Sequence, residues 1–435
     1  MAFLPTEQLI APENEPVFPP TEIARALKFP AHFLWGTATA PTQIEGHIAN
    51  EWTDFTARDG SNCRIACDNY HRYAEDIEWM VKLGVKAYRM GIEWSRLQPA
   101  PFAPLDQKEL ARYCDLLDLL KAAGIQPMVV LHHFSNPPWI SASGGWLNPA
   151  TITAFVDYTA KLVAALRSRV RVWNTFNEPD TYASCTYILG EFPPFHKRRI
   201  FAFRRVILNM AQAHVKVCRI IREQGSDAGP VEVGFTKNWT AFQSYYPASP
   251  WDSTIAAVSH AFFNRFVLRA FLGGSGREAP TFLGLNYYGR VRFRHCRPLV
   301  PVGGFTRESL AKIGVICDDM FERHPPGMEE TLLDLHHRYR LPIYLTEHGS
   351  ASSDEVFRAQ DLKDNLAALH RALKLGVDVR GFFYWSLLDN FEWQFGYAKK
   401  FGLIEVDFKN KTLTRKMKPL GHVYRRVCVE NSLSL

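Results

Sequence analysis

Arg171-Val-Trp-Asn-Thr-Phe-Asn-Glu-Pro179 reads as a buried strand that stops on a carboxylate. Val172, Trp173, Thr175 and Phe176 favour the pleated conformation in a short run. Pro179 has no amide hydrogen to give a ladder, so the strand ends there with Glu178 at its C-terminal tip. Leu341-Pro-Ile-Tyr-Leu-Thr-Glu-His-Gly349 follows the same pattern: an apolar run, the carboxylate Glu347, then Gly349 to permit a sharp turn. Either glutamate alone would also serve as the cap of a following helix. Two strand-tip carboxylates about 170 residues apart in such strings suit cleavage of a glycosidic bond, which takes one acid and one nucleophile or base.

Working outward, the same alternation runs through the chain. Short apolar strands are expected over 33–40, 85–94, 126–134, 231–238, 281–288 and 379–389. Segments with three- and four-residue apolar spacing lie between them, over 68–83, 105–123, 149–167, 201–222, 250–271, 329–339, 361–375 and 419–429. Eight strands alternating with helices, at spacings of about 40 to 60 residues, indicate an α/β fold, a single (β/α)8 TIM barrel. Such barrels carry chemistry at the C-terminal strand ends. Gln43, Arg89, His133, Glu178, Asn286, Tyr288, Glu347 and Trp385 crowd those ends. Residues 1–28 are rich in Pro and Glu without pattern and read as an extended arm, leaving 29–435 as the catalytic barrel.

Composition narrows the partners. The net charge of +7 is mild for 435 residues, and no long basic helix occurs, so nucleic acid is not expected. Eleven Trp and 13% aromatics point to a ring-stacking cleft as well as a large core. No run of 18 apolar residues and no leader-like start is present, so a cytoplasmic protein with reduced thiols and no membrane contact is expected. Cys63, Cys67 and His71 lie close together, but no second ligand pair follows, and neither a metal nor a cofactor is expected.

Thr175-Phe-Asn-Glu-Pro179 and Leu345-Thr-Glu-His-Gly349 resemble the two active-site signatures of family 1 glycoside hydrolases, the β-glucosidase family. The resemblance runs from about Phe29 to the C-terminus. It includes Phe33-Leu-Trp-Gly-Thr-Ala-Thr-Ala40, Gln43-Ile-Glu-Gly46, Tyr70-His-Arg-Tyr73, Tyr88-Arg-Met-Gly-Ile-Glu-Trp-Ser-Arg96, Gly145-Trp-Leu-Asn148, Tyr384-Trp385 and Phe391-Glu-Trp393. It implies a retaining β-glycosidase acting on a small β-glycoside or oligosaccharide, with Glu178 as acid/base and Glu347 as nucleophile. Arg89, Tyr288 and Asn286 would support the pair. Gln43, His133, Asn177, Trp385, Glu392 and Trp393 would line the sugar subsite. A catalytically silent sugar-binding barrel and a transglycosylase are the alternatives.

The chain departs from the family pattern in three places. His348 stands where the family usually has Asn, and Phe134 where it usually has Trp. Between Phe271 and Thr281 only a Gly-rich link remains, which predicts apolar surface near the end of the preceding helix, covered by a second subunit, by the N-terminal arm or by an apolar ligand, the subunit being favoured. The run Arg290-Val-Arg-Phe-Arg-His-Cys-Arg297 reads as a solvated loop face.

Overall fold

A computed structural model describes residues 26–301, 304–410 and 412–434. Eight parallel strands close into a barrel: β1 (Leu34–Ala38), β2 (Ala87–Gly91), β3 (Gln126–Val130), β4 (Val172–Asn177), β5 (Glu232–Asn238), β6 (Phe282–Asn286), β7 (Ile343–His348) and β8 (Val379–Trp385). Each pairs with its sequence neighbours, and β8 pairs with β1 to close the ring. The outer layer comprises α1 (Asn69–Leu83), α2 (Gln107–Ala122), α3 (Ala150–Leu166) and α4 (Ile200–Gln224). It continues with a helix in three parts, Pro250–Ser259, the π-helical His260–Phe266 and Val267–Phe271 (together α5). It ends with α6 (Pro325–Tyr339), α7 (Glu355–Lys374) and α8 (Pro419–Glu430). The family of eight strands expected from spacing is thus present as a TIM barrel.

Boundaries differ where capping overrides periodicity. α7 starts at Glu355, ahead of the expected 361, because the Asp354 side chain accepts from the amides of Val356 and Phe357. The Arg290–Arg294 segment is a strand in a small three-stranded sheet and not a loop. Its arginines are only partly solvated: Arg290 and Arg292 each lie 2.7 Å from the buried carboxylate of Glu322. Most of the arm expected over 1–28 falls outside the described residues. Leu27–Lys28 form a strand paired antiparallel with Ser432–Leu433, so this stretch is tied to the C-terminus.

The expected bare patch between β5 and β6 is also corrected. Val267, Leu268 and Phe271 are fully buried. Phe262 stacks on Phe203 of α4 at 4.6 Å, and Phe263 packs near Phe242 at 6.0 Å. The Gly-rich link is held by Arg222, whose Nη1 donates to the Gly276 carbonyl at 2.5 Å. α4 and the small sheet therefore cover the end of α5, whereas Trp251 (76% exposed) and Val258 (61%) earlier in it stay open. Phe271 is wedged against Phe235 (4.6 Å), Phe176 (5.9 Å) and His214 (5.3 Å). Phe271→Ala should lower stability by about 3–5 kcal/mol, as a cavity forms behind β4 and β5. Urea unfolding measures this; a loss below about 1 kcal/mol would mean the flank is loosely packed.

The barrel is irregular where chemistry is expected. The pairing of β7 slips between Leu345 and Glu347, and that of β4 slips between Asn174 and Asn177. Such irregularities re-aim side chains at strand ends. Gly349 serves close approach rather than a turn: a Cβ there would lie 1.9 Å from the Trp385 carbonyl oxygen. The tips of β7 and β8 can meet only without it.

Candidate active site

Every site residue expected from the sequence lies at the C-terminal end of the barrel or on the loops just beyond it. Arg89 projects from β2 and is wholly buried. Its Nη1 donates to Glu347 Oε1 at 2.6 Å, and its Nη2 to Asn177 Oδ1 at 2.6 Å. Tyr288, two residues beyond β6, donates its hydroxyl to Glu347 Oε2 at 2.7 Å. Both oxygens of Glu347 are thus held, one by a cation and one by a phenol. Asn286, the last residue of β6, donates to Glu178 Oε1 at 2.6 Å and reaches Asn177 Oδ1 at 3.2 Å. Arg89 and Asn286 therefore bind one amide oxygen and connect the two glutamates.

Glu178 itself is held at φ 39°, ψ 62°. A left-handed conformation is costly for a residue with a side chain and persists where the surroundings impose it, often at functional sites. Trp393 (φ 46°) and Phe134 (φ 62°) are held likewise. Asn177 Nδ2 donates to His133 Nε2 at 3.0 Å, which leaves the proton of the neutral ring on Nδ1. The His133 ring stacks between Trp385 (5.8 Å) and Trp393 (6.1 Å). Gln43, on the short helix Pro41–Ile44, donates to Glu392 Oε2 at 3.1 Å. Gln43 Oε1 and His133 Nδ1 are buried without a partner among the described residues.

The two carboxyls differ in environment. Burial raises the affinity of Glu347 for a proton, while the Arg89 guanidinium and the Tyr288 hydroxyl pull it back down. Burial also raises Glu178, and the charges of Glu347 and Asp180 push it further, to about 8. No cation is bonded to Glu178 among the described residues. The charge of Arg89 thus favours the ionised form of Glu347, while Glu178 has no such counter-charge. Glu392 is raised to about 8 by burial and by Glu347.

A (β/α)8 barrel bearing two buried glutamates of this kind is matched by known proteins. The family model described as glycosyl hydrolase family 1 matches residues 25–281 and 277–433. β-Glucosidase A of Acetivibrio thermocellus is 32% identical over 456 residues, spanning 93% of this chain and 99% of its own. β-Glucosidase A of Thermotoga maritima is 32% identical over 459 residues, with the same shares. A solved structure of a β-glucosidase from Thermotoga maritima in complex with deoxynojirimycin aligns with a TM-score of 0.81 at 30% identity, covering 93% of this chain and 99% of that one.

The chain belongs to glycosyl hydrolase family 1. It is a glycoside hydrolase.

In this family 1 chain the structure also places beside the two glutamates polar residues that sequence reading missed. Lys237 of β5 makes a buried ion pair with Asp180 at 2.7 Å, two residues past Glu178. Thr236 accepts from Arg89 at 3.3 Å and donates to Thr346 at 3.1 Å; Thr346 in turn donates to Asn286 at 2.8 Å. Polar side chains inside otherwise apolar strands were the signal that could have found them. The two departures next to the site are accommodated. Phe134 packs on Trp393 at 5.3 Å and Phe192 at 5.4 Å. His348 donates from Nδ1 to the Tyr287 carbonyl at 2.8 Å, and its Nε2 lies 3.6 Å from Asp361. It thus ties β7 to the backbone that carries Tyr288. Cys63, Cys67 and His71, close in sequence, do not converge on one another. Cys63 Sγ donates to the Trp52 carbonyl, Cys67 Sγ to the Asp389 carbonyl, and His71 pairs with Asp68.

A cavity of about 970 Å³ lies at the opposite end of the barrel, among Lys86, Arg171, Glu232 and Arg380. It is remote from both glutamates, on the face where barrels carry stability rather than chemistry. No helix among the described residues is long and apolar enough to cross a membrane. The Trp excess serves mainly the core: Trp52, Trp94, Trp146 and Trp173 are fully buried.

Proposed function

We propose that the chain is a retaining β-glycosidase of the β-glucosidase type, releasing a non-reducing terminal, unphosphorylated β-linked sugar through a covalent glycosyl-enzyme. The observation that carries this reading is the unequal holding of the two carboxyls: Arg89 and Tyr288 on Glu347, and on Glu178 the Asn286 amide with no cation among the described residues. Glu347 attacks the anomeric carbon as a carboxylate while Glu178 gives its proton to the departing oxygen. The C–O bond to the leaving group breaks as the bond to Glu347 forms. Glu178, now a base, takes a proton from water, which displaces Glu347 and restores the original configuration. The unpartnered Gln43 Oε1 and His133 Nδ1 suit sugar hydroxyls, which would satisfy them on binding. The relatives' printed names, β-glucosidases in both bacteria, support the β-glucoside assignment.

The test is hydrolysis of a chromogenic aryl β-glucoside, with the first-formed anomer read by proton NMR. The β-anomer is expected. An inverted product would overturn the covalent scheme, and no hydrolysis across a panel of aryl β-glycosides would favour the silent barrel. The pH profile follows from the tuning. Activity needs Glu347 deprotonated and Glu178 protonated, so the alkaline limb should fall near pH 8. The acid limb should lie above 4.5, the ordinary value, because burial raises Glu347. A profile still rising at pH 9, about one unit past that limb, would contradict the role of Glu178.

Repulsion by an ionised Glu392 would be one way to exclude a 6-phosphate. With its proton held up to about 8 it is largely neutral at pH 7, so repulsion is not the reason. Glu392 is bonded to Gln43 and to no Lys or Arg among the described residues, so a phosphate there would be buried without a cation. In competition, a plain aryl β-glucoside should be consumed ahead of its 6-phospho form. The reverse preference would overturn this assignment.

A further inference from the structure

The loop between β1 and α1 and the first turn of α1 bring together three ligand-type side chains that the sugar chemistry does not use. His47, Asp68 and His71 present one nitrogen or oxygen each, all within 4.8 Å of one another. Asp68 Oδ1 lies 2.7 Å from His71 Nδ1 and 3.7 Å from His47 Nε2. In a tetrahedral zinc site, metal–ligand bonds of about 2.0–2.2 Å place neighbouring ligand atoms roughly 3.4 Å apart. The observed distances straddle that value, and both imidazoles are more than half exposed, so small rotations close the gap.

Two further observations set this cluster apart from a chance meeting of surface side chains. Asp68 precedes α1, which is kinked at Arg72, and its carboxylate accepts no amide from that helix. Its left-handed backbone (φ 52°, ψ 30°) departs from the extended conformation of an ordinary N-cap, which leaves the carboxylate free for other partners. Here it turns to the two imidazoles, and it has no Lys or Arg ion pair among the described residues. Secondly, His47 (φ 53°) and Asp68 (φ 52°) are both held in the left-handed region. The backbone fixes them there: His47 donates its amide to the Arg64 carbonyl at 2.7 Å, and Cys67 donates its amide to Ile44 at 3.0 Å.

We propose that His47, Asp68 and His71 form a binding site for a divalent transition ion of the zinc class, with water completing the coordination. Two nitrogens and one carboxylate oxygen favour zinc, nickel or copper over magnesium and calcium, which take oxygen ligands. The site is distinct from the glycosidase centre and pins the loop whose other end carries Gln43. The N-terminal end of α1 is positive and opposes a cation, which weakens the affinity.

Zinc chloride is titrated into the full chain against a chromophoric chelator at pH 7.5, alongside His47→Ala and His71→Ala. One equivalent should bind the wild type. Each substitution should weaken binding at least about tenfold, the loss that follows removal of even an outer partner of a metal site. The melting temperature should rise with zinc in the wild type and stay flat in both variants. Their melting temperatures in EDTA should match the wild type, since both side chains are exposed. Affinity should fall on acidification, because coordination needs neutral imidazole. Binding that fails to saturate, or that persists in both variants through thiols such as the exposed Cys296, overturns the proposal.

Discussion

Glu347→Gly should abolish turnover of an aryl β-glucoside, by a factor on the order of 10⁶, the scale of loss when a covalent nucleophile is removed. Azide or formate should restore part of the chemistry. The anion enters the space left beside Arg89, attacks the anomeric carbon and expels the aryl group. With azide the new bond is C–N, and the product is the α-glycosyl azide, of inverted configuration. Arg89 gives this test a second readout. In the wild type it is buried and donates to Glu347 at 2.6 Å. Without that partner the guanidinium is an uncompensated buried charge, at a cost of about 3–5 kcal/mol. The variant should therefore melt below the wild type and recover part of the difference in azide. Wild-type turnover in Glu347→Gly, or a rescued product of retained configuration, would sink the assignment.

Glu178→Gln should separate substrates by leaving group. Loss of general acid catalysis costs about 10²–10⁴-fold where the departing oxygen is basic, and far less for an activated nitrophenolate. Bond cleavage to the activated group needs no proton, so the glycosyl-enzyme should then accumulate. Equal losses across a leaving-group series would contradict the acid role. The alkaline limb near pH 8 should vanish with the side chain that sets it. Stability should move the other way. The folded chain holds the Glu178 proton up to about 8, whereas the free group releases it near 4.5. That contribution is complete below pH 4.5 and is lost as pH rises towards 8. Glutamine cannot ionise, so the melting temperature of the variant relative to wild type should climb over that window. A difference independent of pH would show that Glu178 is not buried with a raised affinity for its proton.

These two variants and the proposed zinc site bear on different parts of the loop-bearing face. Loss of zinc binding would leave the glycosidase reading intact. Failure of the Glu347 test would leave the zinc site intact. The His47 cluster also shows what spacing along the chain leaves out. Cys63, Cys67 and His71 are neighbours in sequence, without a second ligand pair to make a metal site. Folding turns both thiols inward and leaves His71 beside Asp68 and the distant His47.

By itself the sequence determined whatever depends on near neighbours along the chain. Apolar runs ending on Glu178-Pro179 and Glu347-His348 marked strand tips, because alternation and a missing amide hydrogen act locally. Eight such runs between helical spacings specified the barrel, since that order of elements has few ways to bury both faces of its strands. Tertiary structure alone decided which side chains meet across the ring. The ion pair of Lys237 with Asp180, and the Thr236–Thr346–Asn286 relay, depend on the register of β4 to β7 in the closed barrel. The unequal proton affinities of Glu178 and Glu347 depend on burial and on Arg89, 258 residues from Glu347 in sequence. Burial and charge act through space, so chain closure sets them, and the order of the residues only makes them possible.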